Sequence, residues 1–93
     1  MKYRKKPVVI DAVQYDGSVK SGHAIIDWIW ENLGHGIGAR FGTHGLQIRT
    51  LETARDEWFT VSPQDFVIRG VKGEFYACKP DIFAATYEAE PTP

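Results

Sequence analysis

The chain has 93 residues, 43% of them hydrophobic and 13% aromatic, with three Trp, four Tyr and five Phe and a formal net charge of −1. A chain this short makes one domain, residues 1–93, that buries only about 60–65% of the surface its unfolded state exposes, so self-association is a natural way to bury more. The near-neutral charge provides no field to steer the chain to nucleic acid, the single Cys78 rules out an intrachain disulfide and fits a reducing compartment, and no apolar run approaches the roughly 20 residues of a membrane span.

Residues 1–6 carry Lys2, Arg4, Lys5 and Lys6, a one-signed basic arm that reads as solvated. Residues 8–15 have strand composition and end at the turn cluster Asp16, Gly17 and Ser18. Val8, Ile10 and Ala12 alternate with Val9, Val13 and Tyr15, the pattern of a strand covered on both faces. Asp11, in the middle of that run, would need a partner such as an Arg if buried, and is expected to be structural or exposed at an edge, because unpaired acids are rarely buried. Over residues 21–33 the period becomes helical, with Ser21 as N-cap and Gly34 closing the helix. Ile25, Ile26, Ile29, Trp30 and Leu33 share one apolar arc opposite Asp27, Glu31 and Asn32. Trp28 falls among the polar residues, which makes it the candidate for a subunit interface or a ligand contact.

Five glycines and two histidines follow in residues 34–45. Their spacing fits neither G-x-G-x-x-G nor G-x-x-x-x-G-K-[ST], so the stretch reads as a helix exit and a hairpin. Its strands are expected over residues 37–41 and 46–51, joined by a turn at Gly42, Thr43, His44 and Gly45. Residues 52–57 form a charged connection, and residues 58–61 a further strand. Residues 65–69 and 74–78 pair as a second hairpin bracketed by Gly70 and Gly73. A two-residue turn there would set Phe66, Ile68, Phe75 and Ala77 on the core face, with Arg69 opposite Glu74 or Tyr76 on the other. Pro80 to Phe83 should form a single tight turn, with Ile82 and Phe83 as a plug, and residues 89–93 a frayed tail. The predicted fold is α+β: one helix on a small, curled, mainly antiparallel sheet of about six strands, partly closed like a barrel.

The segments KYRKKPVVIDAVQY and IRGVKGEFYACKPDIFAATYE, at the two ends of the chain, resemble a family of short uncharacterised proteins of bacteriophages and prophages. Two departures stand out: a Pro-Gly-Asp turn of such proteins is Pro63-Gln64-Asp65 here, and a proline is Ala77. Because Gln does not readily take the positive φ of a type II turn, a type I turn is expected at Gln64. The resemblance implies a phage origin and a setting in the host cytoplasm, and it implies no activity.

Catalysis needs a nucleophile with a base, paired carboxylates or a metal, and none of these stands at motif spacing. His23, His35 and His44 have no metal-ligand spacing, and Cys78 on a strand reads as a small hydrophobe. No cofactor is implied. A binding module is the better class, since Arg69, Lys72 and Tyr76 on the hairpin, with Arg40 and Arg49 on the preceding strands, offer charge-assisted bonds and stacking faces to an anionic, flat ligand. Phage genomes encode small oligomeric proteins that sequester nucleotide signals of bacterial immunity. By that analogy the chain is expected to be a non-catalytic homo-oligomer that counters host defence by binding a nucleotide-like ligand. The alternatives are a module that binds a host or phage protein and, third, a minor virion component.

Overall fold

A computed structural model describes residues 1–4, 6–51, 53 and 57–89. Six strands and two helices follow one another in the order β1 (Asp11–Gln14), α1 (Val19–Leu33), β2 (Ala39–Gly42), β3 (Gly45–Ile48), β4 (Phe59–Thr60), β5 (Phe66–Arg69), β6 (Phe75–Cys78) and α2 (Pro80–Thr86). The fold is α+β, but the strands form two antiparallel three-stranded sheets, β1-β5-β6 and β2-β3-β4, and no barrel closes. Ile25, Ile26 and Ile29 of α1 share one core with Leu46 and Ile48 of one sheet and Val67 and Phe75 of the other. The single curled sheet expected from the sequence is therefore split, with the helix at the centre of the packing.

α1 begins two residues before Ser21, which is not its cap. Asp16 Oδ1 accepts from the Ser18 amide at 2.8 Å, and the Ser18 hydroxyl, at the N-cap, accepts from the Ser21 amide at 3.0 Å. Ser21 faces back to accept from the Asp16 amide at 3.1 Å. Together these bonds satisfy donors that the first turn would leave open, and they hold the exposed Asp16 carboxyl below its usual range. At the other end Gly34 has φ 118° and donates to Trp30 O, so the glycine ends the helix as its spacing predicts. Gly22 has no side chain where the Phe41 ring packs, which lets β2 approach the helix, and Trp30 Nε1 donates to Ala39 O at 3.0 Å. Leu33, assigned to the apolar arc, is exposed.

The first hairpin has the predicted two-residue turn, Gly42 pairing with Gly45 around Thr43 and His44. The second does not. Its loop has three residues, Val71, Lys72 and Gly73, with Gly70 donating to Glu74 O at 2.7 Å, Gly73 donating to Gly70 O at 3.0 Å and Gly73 at φ 82°. An odd loop shifts the pairing by one and reverses its parity, so Phe66 pairs with Cys78, Val67 with Ala77, Ile68 with Tyr76 and Arg69 with Phe75. Val67, Phe75 and Ala77 face the main core with Arg69, while Phe66 and Ile68 lie on the opposite face with Tyr76 and Cys78, where Ile68 is fully buried as expected of it. Arg69 thus stands opposite Phe75, not opposite Glu74 or Tyr76.

The outer face is covered by α2, a longer element than the predicted turn, with Pro80 at its start where a missing amide costs nothing. Phe83 stacks on Phe66 at 3.8 Å between centroids and 6° between planes, but Ile82 points to solvent and plugs nothing. β1 is an edge strand that is not covered on both sides: Val8, Val9 and Val13 are exposed, and Asp11 lies at the exposed edge as its isolation predicts. Of the tail predicted over residues 89–93, all but Ala89 lies outside the described residues, as do four positions of the 52–57 connection and Lys5 of the arm.

Between the sheets, Ser62, Pro63, Gln64 and Asp65 form a turn closed by the Asp65 amide on Ser62 O at 3.0 Å, with Gln64 at φ 78°. This overturns the type I expectation, because the left-handed residue at the third position is the type II arrangement. The turn is fixed from several directions. The Gln64 amide donates to Tyr15 O at 2.6 Å, the Tyr15 amide donates to Asp65 O at 2.9 Å, and Gln14 Nε2 donates to Gln64 O at 3.0 Å.

Replacing Ile29, which is fully buried, by Ala should cost about 2–5 kcal/mol in a denaturant titration, and a change near zero would refute its place in the core. Gln64→Gly should instead stabilise the fold, by roughly 0.5–1 kcal/mol, since the left-handed penalty of a side chain exceeds the chain-entropy cost of glycine; a loss of stability would refute the strain.

Candidate functional site

Alternation on β2, β3 and β4 places Arg40, Gln47 and Thr60 side by side across the solvent face of the sheet. Two positions along, Arg49 and Trp58 belong to the same face. The Arg40 guanidinium lies 4.2 Å from the centroid of the Trp58 ring and the Arg49 guanidinium 4.7 Å from it. Arg40 Nε also donates to Gln47 Oε1 at 3.0 Å, and Gln47 Nε2 donates to Thr60 Oγ1 at 3.3 Å. An indole thus gathers two cations, and the Gln47–Thr60 chain helps to aim Arg40.

Of the five ligand residues expected from the sequence, the structure brings Arg40 and Arg49 together. Arg69, Lys72 and Tyr76 do not join them or one another. Arg69 faces inward, where its Nε is buried with no hydrogen-bond partner among the described residues, and Tyr76 faces outward under α2. Lys72 stands in the turn, its amide donating to Glu74 Oε2 at 3.0 Å. The physical reason is the odd loop, which sets positions 69 and 76 on opposite faces. Trp28 packs edge-on to Phe75, at 5.0 Å and 88°, and is half-buried within its own chain. Its own chain therefore covers part of the Trp28 ring.

Trp58, Gln47 and Thr60 were not singled out by sequence reasoning. Gln47 and Arg49 do alternate with the apolar Leu46 and Ile48, and Trp58-x-Thr60 repeats the same period; pairing that third strand with the hairpin would have found them.

Cys78 and the histidines of α1 and its exit are engaged elsewhere. Burial, followed by the charges of Asp65 and Asp81, pushes the Cys78 thiol up, away from the reactive thiolate, and its S–H points at Lys79 O, 3.6 Å away. His23 and His35 pack against Phe41 and Trp30, at 4.9 and 4.6 Å. Among the described residues no group of three or more His, Cys, Asp or Glu side chains could hold a metal ion, and no helix is long and apolar enough to cross a membrane. Residues 34–45, the glycine-rich stretch, form the helix exit and the first hairpin, with Gly34, Gly36, Gly38 and Gly45 all at positive φ. A cleft of about 460 Å³ does open elsewhere, between β6 and the segment Thr50, Leu51 and Phe59.

Comparison with protein-family models, with curated proteins and with solved structures finds no match to this chain.

Tyr76 offers a pH test of the outer face. Burial, then the hydroxyl of Tyr87 3.5 Å away, pushes its phenol from 10.0 up to about 12. The folded state favours the neutral phenol, so its contribution to stability is intact below pH 10 and is lost between pH 10 and about 12, where the unfolded chain ionises first. Alkaline unfolding followed by phenolate absorbance should show that fall, and Tyr76→Phe should remove it. A Tyr76 phenol that ionises near pH 10 in the native protein would refute the assignment.

Proposed function

We propose that this protein is a non-catalytic binding protein for a small anionic, nucleotide-like ligand, held on the open face of β2-β3-β4. What supports this reading is one observation: Arg40 and Arg49 converge on the Trp58 ring. Guanidinium groups laid on an indole are restrained before a ligand arrives, so less rotamer entropy is lost on binding, and their forked N–H groups suit a phosphate or carboxylate. With the indole already engaged by cations, a planar base would stack on a guanidinium plane rather than on Trp58 itself. Each charge-assisted hydrogen bond contributes about 1.5–3 kcal/mol, so two arginines sharing one anion can approach the roughly −8 kcal/mol of micromolar affinity. Sequestration of a nucleotide signal in a phage-infected cytoplasm is the setting that fits such a site together with the phage resemblance.

The second reading, a module that binds a host or phage protein, is favoured by the exposed apolar side chains Val8, Val9, Leu51 and Ile82.

Calorimetric titration with linear and cyclic nucleotides, and with pyrophosphate, separates the two. At least one anion should bind with a Kd in the micromolar range and more weakly as salt rises. Arg40→Ala and Arg49→Ala should each weaken it about 10–100-fold with the fold intact by circular dichroism. If no compound binds below about 100 μM, or if both substitutions leave binding unchanged, the reading fails.

A further inference from the structure

β6 ends its sheet, and among the described residues no strand pairs with its outer edge. Gly70 and Glu74 form a hydrogen-bonded pair, and pairs of that kind alternate along an antiparallel ladder. It follows that Tyr76 and Cys78 direct their backbone groups to β5, while Phe75 and Ala77 direct theirs outward. The cleft of about 460 Å³ runs along this edge: Glu74, Phe75, Tyr76 and Ala77, residues of both faces, line one side, and Leu51 and Phe59 line the other. Leu51 is 79% exposed and Phe59 39%. Of the devices that guard such an edge, β6 has only its shortness, four residues; Phe75 to Cys78 include no proline, charge or bulge. Of the charges that flank the strand, Glu74 is turned back onto the Lys72 amide and Lys79 reaches Asp65.

We propose that the protein is a homodimer joined through this edge, with β6 of one copy antiparallel to β6 of the other and Tyr76 on the two-fold axis. The strand is self-complementary in this register. Outward backbone groups at positions 75 and 77 pair Phe75 of each copy with Ala77 of its partner, large beside small. On the outer face Glu74 meets the partner's Cys78, and the two Glu74 carboxylates lie at opposite ends, about 13 Å apart at roughly 3.3 Å per residue and beyond the screening length. A two-fold axis perpendicular to the sheet keeps Leu51 and Phe59 of both copies on one side of the joined sheet, where each covers the other's exposed surface. The interface is isologous, so it closes at two copies and does not grow into a fibre. It is also separate from the Arg40–Trp58–Arg49 face, which lies on the other sheet.

Sedimentation at micromolar concentration should find a dimer. Ala77→Pro removes an outward N–H and leaves the pairing with β5 in place, so it should yield a folded monomer. Should that variant not fold, Leu51→Asp, at an exposed position, must give the monomer instead. Mild oxidation of Glu74→Cys should produce a covalent dimer through the partner's Cys78, since non-hydrogen-bonded pairs have Cα atoms about 4.5 Å apart. The double variant Glu74→Cys/Cys78→Ser should not cross-link. The proposal is overturned by a wild-type monomer, including one that captures a foreign peptide on this edge, by a dimer that Leu51→Asp and Ala77→Pro both leave intact, or by equal cross-linking of the double variant.

Discussion

The buried carboxylate of Asp65 holds the junction on which both sheets depend. It is 2% exposed, and Oδ2 accepts from the Ser62 amide at 3.1 Å and from Lys79 Nζ at 3.2 Å. The pair joins the end of β4 to the start of β5 and ties both to the residue that precedes α2. Lys79 is itself half exposed, so the ion pair adds little by Coulomb attraction, on the order of 0–1 kcal/mol. The hydrogen bond from a backbone amide to a buried charge is worth more, about 1.5–3 kcal/mol, and without it the carboxylate could not stay in the core. That anchoring explains how Gln64, next in the chain, is held at a positive φ that costs about 1–2 kcal/mol: the bonds on either side of it leave no other conformation.

Much of the fold could be read from the sequence because burial and period coincide in it. α1, the hairpin around Thr43 and His44, and the α+β class all follow from apolar spacing and turn residues. What could not be read was decided by single-residue details. Gly70 and Gly73 bracket two residues, yet Gly73 belongs to the loop as its left-handed member, and that one position moved Phe66 and Ile68 from the core face to the outer one. Periodicity does not reveal this, because Phe66, Ile68, Phe75 and Ala77 make an apolar stripe at least as good as the observed Val67, Phe75 and Ala77. Similarly, Trp28 lies outside the apolar arc of α1 on a helical projection, but Phe75 on the neighbouring sheet extends the core to meet it. Whether a flanking aromatic is wet depends on the partner surface, which is tertiary information.

The candidate site was half legible for a related reason. Arg40 and Arg49 could be named as cations on strands, but their convergence depends on Trp58, which arrives from the start of a third strand. Arg69 and Tyr76 are closer in sequence and yet separated by the thickness of a sheet. Proximity along the chain was the wrong guide here, and strand parity is the right one.

The two sheets differ in what they leave open, and this division follows from their connections. β1-β5-β6 is followed directly by α2, and Phe83 of that helix and Tyr87 just past its end cover the outer face, so the surface this sheet still offers at its far end is a backbone edge. Among the described residues no helix covers the β2-β3-β4 sheet in this way, and polar side chains that alternate with the core residues are displayed on its outer face as an array. An edge recognises backbone and is indifferent to most side-chain chemistry, whereas an array of guanidinium groups recognises charge and shape. The proposed assembly surface and the proposed ligand surface therefore do not compete, because each is the part of its sheet that the core does not use.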